Sequence, residues 1–185
     1  MANWAWTEYE IHGQKETIKK IVDVIRQLEK GTLPKAENSS NLWEGNVLTL
    51  LGAKTFDNMR GFIEHLDEAG DCLIYITATE AWGITDFAKC LCNLFGEQDD
   101  SFFVELICEE PECGYYVKTN ENEDIYKVEY CKDGLIGSSE LLYNLDAVEN
   151  FLSYELGMTR EEADDYGYKS YDDYVVVKEF EQIYV

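Results

Sequence analysis

The chain of 185 residues is long enough for one domain with a sizeable core, or for a compact domain with an appendage. Hydrophobic residues make up 45% and aromatics 14%, with only two prolines, a composition that excludes a disordered acidic tail and long linkers. Thirty-eight acidic residues against fifteen basic ones leave a net charge of −23, a field that repels nucleic acid and anionic membranes and excludes direct binding to either.

Asn3 to Gly13 alternates, with Trp4, Trp6, Glu8 and Glu10 on one parity and Tyr9 and Ile11 on the other, which predicts a strand ending in a glycine turn. From Gln14 to Lys30, Ile18, Ile21, Val22, Ile25 and Leu28 recur at helical spacing, predicting an amphipathic helix stopped by Gly31. Residues 31–45, with Pro34 and an Asn/Ser cluster, read as a surface loop. Asn46 to Ala53 is a short apolar run whose type the pattern leaves open. Thr55 to Gly70 places Phe56, Met59, Phe62, Ile63 and Leu66 on one helical face and predicts an inserted helix.

Cys72 to Glu80 is β-branched and aromatic and predicts a buried strand. Gly83 to Gly96 puts Phe87, Leu91, Leu94 and Phe95 on a helix, with Thr85 or Asp86 as its cap. Ser101 to Glu110 reads as a strand, and Gly114 to Thr119 pairs with it or begins the next one. Ile125 to Gly134 alternates and ends in a turn signal, and Asn144 to Gly157 is an amphipathic helix. Thr159 to Glu162 is a capping-box pattern, Thr159 as N-cap and Glu162 reaching back, so a short helix follows. Asp173 to Val185 closes the chain as a strand. Strands in hairpins beside strand–helix units point to an α+β sandwich, helices on one face of a mainly antiparallel sheet.

The first ten residues carry neither a basic start nor the apolar core of a signal peptide, and no apolar run reaches membrane-spanning length. The expectation is a cytoplasmic protein with six reduced cysteines. Cys90 and Cys92, and Cys108 and Cys113, lack the second CxxC or histidine pair of a zinc site, so no metal and no cofactor are expected. His12 and His65 read as ordinary surface or half-buried histidines, which leaves nucleophilic catalysis without a base. Glycines follow neither phosphate-loop pattern. Around Asp164, Asp165 and Gly167 an EF-hand fails, because Lys169 stands where an oxygen ligand is needed. A different cation site at Asp172 or Asp173 stays open as a minor alternative. No enzymatic role is expected.

Three stretches resemble the YubB-type ferredoxin-like-domain family. They are "MANWAWTEYEIHG" before an amphipathic helix, "YITATEAWGITDFAKCLCNLFG", and "VELICEEPECGYY", together covering about residues 1–135. Ala5 stands where the family has a cysteine, and Trp82 is followed by Gly83 and Ile84 without the family's proline. The resemblance implies a ferredoxin-like two-layer sandwich without an iron–sulfur cluster, and residence on phages, plasmids and other mobile elements of bacterial hosts. It brings no catalytic residues. The expected organisation is a core at 1–140, with an inserted loop and helix at 31–70, and an acidic extension at 141–185 packed on that core.

Charge is unevenly spread. Residues 1–70 hold eleven acids and eight bases, a net of −3, and the remaining twenty-seven acids and seven bases give −20. Acids gather in two clusters. The first includes Glu97, Asp99, Asp100, Glu105, Glu109, Glu110 and Glu112; the second is Glu161, Glu162, Asp164, Asp165, Asp172 and Asp173. Tyr166, Tyr168, Tyr171 and Tyr174 stand among the second set, and aromatics on a charged surface mark protein interfaces. The expected contacts are Asp99, Asp100, Glu109, Glu110, Glu112, Glu161, Glu162, Asp164, Asp165, Tyr166, Tyr168, Tyr171, Asp172 and Asp173.

The expected partner is a host nuclease or nucleic-acid-binding defence protein with a basic cleft, inhibited by electrostatic and steric occlusion in the manner of a DNA mimic. The alternatives are an immunity or antitoxin-like protein shielding a basic toxin, a ligand-binding or enzymatic domain with a pocket near Trp82, His12 and the cysteines, and a structural accessory protein. A homodimer through an exposed tail-strand edge at Val175 to Val177 is a further alternative.

Overall fold

The structure, a computed structural model, describes residues 3–54, 59–81 and 86–185. It is an α+β protein in two compact units, Met1–Thr119 with Ile183–Val185, and Asn120–Gln182. The division falls at Thr119 rather than near residue 140, because the strand predicted from Ile125 pairs with the strand that follows Asp173.

In the first unit, β1 (Trp4–His12) leads into α1 (Lys15–Glu29) and α2 (Glu44–Leu51); then come β2 (Gly61–Glu68), β3 (Leu73–Ala81), α3 (Asp86–Phe95), β4 (Phe103–Glu110) and β5 (Tyr115–Lys118). The strands of this unit form an antiparallel sheet in the order β5-β4-β1-β3-β2. Alternation decides what β1 buries: Ala5, Tyr9 and Ile11 face the core with Thr7, and the parity of Trp4 and Glu8 faces away. Ile18, Ile21, Ile25 and Leu28 of α1 and Val47, Leu48 and Leu51 of α2 complete that core with Phe87 and Leu91 of α3. Tyr9 and Phe87 meet edge-on, ring centroids 5.4 Å apart.

One element differs from the sequence expectation, and one left open is settled. The segment expected as a helix over 55–70 is the strand β2 from Gly61, and residues 55–58, Phe56 among them, lie outside the described residues. Its register slips between Ile63 and His65, a bulge that carries the buried positions from Gly61 and Ile63 to Leu66. The steps of two and then three residues imitate helical spacing. The run at Asn46, left open in type, is helical, as α2, ended by Gly52 at φ +107°.

The second unit contains β6 (Tyr126–Lys132), β7 (Leu135–Ser138), α4 (Leu145–Phe151) continued by a π-turn at Leu152–Leu156, α5 (Arg160–Tyr166), β8 (Tyr168–Ser170) and β9 (Asp173–Glu179). The sheet order is β7-β6-β9-β8. Asp133 and Gly134 both have positive φ, 53° and 82°, the turn that a two-residue hairpin between β6 and β7 requires. The core is small: Tyr126, Val128, Val148, Leu152, Met158, Ala163 and Val175. In this sheet β9 pairs along its length with β6, while β8 pairs with it only at Asp173 and Tyr174; Val175 is buried and Val176 and Val177 are half-buried. No described helix is long and apolar enough to cross a membrane.

Candidate functional site

The second acidic cluster is built on α5 and the hairpin after it. Thr159 caps α5 in a closed box: its Oγ1 accepts from the Glu162 N–H at 3.2 Å, and Glu162 Oε2 accepts from the Thr159 N–H at 2.7 Å. The Thr159 N–H and hydroxyl hold the Glu162 carboxyl below its ordinary value. Asp164 takes both of its oxygens to Arg160 Nε, at 2.9 and 3.1 Å, one helical turn back. Beyond α5, Asp173 accepts from the Tyr166 hydroxyl. That bond first, then desolvation and the Asp173 charge, push the Tyr166 phenol up to about 12. Lys169 Nζ lies 3.3 Å from the centre of the Tyr166 ring. Asp172 accepts from the Ser170 hydroxyl at 2.7 Å, which holds its carboxyl below the usual range.

α5 and the end of α4 with its π-turn border a groove of about 960 Å³. Glu161, Glu162, Asp164 and Asp165 line one part; Glu149, Asn150 and Ser153 line another. Glu149 and Ser153 escaped the sequence reading, although they lie four residues apart, each one position after the buried Val148 and Leu152. Arg160, the basic residue of the lining, is committed to Asp164, and its Nη1 is buried without a hydrogen bond. Exposed aromatics accompany the carboxylates: Tyr171 is 91% exposed at the tip between β8 and β9, and Tyr168 stacks on Tyr174 with centroids 5.7 Å apart.

The first cluster does not stay together on the surface. Asp100 and Glu112 are exposed, but Asp99, Glu109 and Glu110 are buried and are withdrawn from the expected contact set. Asp99 is 2% exposed and accepts from the Gln14 N–H at 2.7 Å and from the Ser101 N–H and hydroxyl at 3.0 and 2.6 Å. Gln14 is the N-cap of α1, so this carboxylate serves the positive end of that helix. Burial would raise its pKa; bonds from Ser101, Gln14 and Thr17 outweigh that and bring it down to about 2.

A second set of carboxyls, unforeseen in the sequence reading, lies inside the first unit. Glu44 and Glu80 are each 1% exposed. Glu80 Oε2 accepts from Thr7 Oγ1 and Oε1 from the Tyr9 hydroxyl, both at 2.5 Å, and the Glu44 carboxyl lies over Gly61, the residue that pairs with Glu80 across β2 and β3. Burial first, then the Glu80 charge, push the Glu44 carboxyl well above the ordinary value. Cys108 beside them is pushed up to about 12, chiefly by burial. Glu80 had a signal, since it shares the parity of Ile74, Ile76 and Ala78, all buried. Glu44 had none.

His12 bonds Glu10 at 2.6 Å and stacks on Phe103 at 4.2 Å, while Trp82 lies outside the described residues. The six cysteines are free thiols, and among the described residues no three His, Cys, Asp or Glu side chains gather as metal ligands. No protein-family model, curated protein or solved structure matches the chain.

Proposed function

We propose that this protein is a non-enzymatic inhibitor carried by a mobile element, which covers the basic, nucleic-acid-binding cleft of a host defence protein. A restriction or CRISPR-type nuclease is the natural target. The observation that carries the reading is the α5 groove, where Glu149, Glu161 and Asp165 line a surface whose arginine is already paired to Asp164. Carboxylates at i and i+4 of a helix, as Glu161 and Asp165 are, recur about 6 Å apart along its axis. That is the few-ångström scale of phosphates along a nucleic-acid strand. Tyr168 and Tyr171 add aromatic area between the charges. With α2 and β5 set aside as additions, the first unit runs strand–helix–strand–strand–helix–strand with neighbours β4-β1-β3-β2, which supports a ferredoxin-like reading. It is consistent with the resemblance to the YubB-type family.

The test is recovery of partners from host lysate on the tagged full chain at about 50 mM and about 300 mM salt, a range over which screening changes strongly. A nuclease or other nucleic-acid-binding protein captured at low salt and lost at high salt is the expected result. Glu161→Lys with Asp165→Lys should slow its association about tenfold. A captured basic toxin would replace the defence target by the immunity reading. Capture indifferent to salt and to both reversals would overturn the mimicry.

A further inference from the structure

Glu44 comes from α2 and Glu80 from β3, and neither reaches water. The charge of Glu80 is met by two hydroxyl donors, from Thr7 and Tyr9. Glu44 is poorer: its Oε1 is buried without a hydrogen-bond partner. Its carboxyl rests directly over Gly61, where a Cβ would come within 2.1 Å of Oε2. Two anions in that position would repel in surroundings that screen poorly. One proton between them converts the repulsion into a charge-assisted O–H···O⁻ bond.

The other groups facing the pair favour keeping that proton. From β1 come the neutral Thr7 and Tyr9 hydroxyls, and from the first turn of α3 comes Asp86, whose charge acts on Glu80. From β4 comes Cys108, which bonds Thr7 and feels the charges of Glu80, Glu110 and Glu109. Arg60, just ahead of β2, is exposed and gives its carbonyl to the Ala81 N–H at 3.3 Å.

We propose that Glu44 and Glu80 share a single proton, held on Glu44 and donated to Glu80, and that this proton is a pH-sensitive latch fastening α2 to the sheet. The assignment to Glu44 follows from the donors. Burial raises both carboxyls, but the Thr7 and Tyr9 bonds pull Glu80 back toward its ionised form. The sign of the pH dependence follows as well. Unfolded, Glu44 releases its proton near 4.5; folded, it keeps the proton to higher pH. Its contribution to stability is therefore complete below that value and declines as pH rises toward ionisation of the folded pair.

Infrared spectroscopy of the full chain at neutral pH reads the proton directly. The expected signal is the C=O stretch of a protonated carboxyl, present in the native protein and lost in Glu44→Gln. Unfolding followed from about pH 5 to about pH 8 gives the linkage: relative to Glu44→Gln, which keeps a neutral donor, the folding constant of the native chain should fall by up to about tenfold per pH unit. Hydrogen exchange at Val47 and Leu48 should show α2 loosening with pH in the native chain more than in the variant. A native spectrum without the protonated carboxyl overturns the proposal, and so does a pH slope or exchange pattern shared by both chains. Should Glu44→Gln fail to fold, the native spectrum decides alone.

Discussion

The carboxylates of the two units do opposite work. In the first unit, Glu44, Glu80 and Asp99 are enclosed, Glu80 bonded to Tyr9 and Thr7 and Asp99 to Gln14 and Ser101, so their charge or proton belongs to the architecture. In the second unit, Glu161 and Asp165 stand in water along an open groove, and their charge is available to another molecule. Composition alone does not separate these roles. An acidic side chain surrounded by hydroxyl and amide donors stabilises its own fold, whereas one surrounded by other acids stores repulsion that a basic partner relieves.

The contrast can be broken at its strong end first. Glu80→Ala should cost about 3–5 kcal/mol, because it strands a buried carboxyl and two hydroxyls; denaturant unfolding measures it. An intermediate loss belongs to Thr159→Ala, which opens the α5 capping box: about 1 kcal/mol by the same measurement. Asp165→Lys lies at the weak end. It occupies the last turn of α5, where a cation is favoured, so stability should change by less than about 0.5 kcal/mol while partner association slows. A large stability loss at Asp165 would erase the distinction between the units; a negligible loss at Glu80 would do so from the other side.

Much of this arrangement was legible in the residues. The alternation of Tyr9 and Ile11 assigns the buried face of β1, and Thr159 with Glu162 announces the start of α5. β2 was hidden by its bulge, which turns the strand's period of two into a step that looks helical. The acid clusters were legible as composition but not as surfaces. Asp99 and Asp100 are adjacent and have opposite exposure, and what separates them is the approach of Gln14 from a distant part of the chain. The groove needed α4 as its other wall, and a helix brings Glu149 to face α5 only after the chain has turned at Gly157.

The chain leaves the first unit after Thr119 and re-enters it at Ile183, whose N–H donates to Lys118 O at 2.8 Å. Exit and entry are thus neighbouring points on one piece of backbone. Topologically, Asn120 to Gln182 is a long loop between these two points, and closing a loop costs only logarithmically more as the loop lengthens. Because the two ends already meet at Lys118 and Ile183, a change in the length of the chain between them adds little to the cost of closing it.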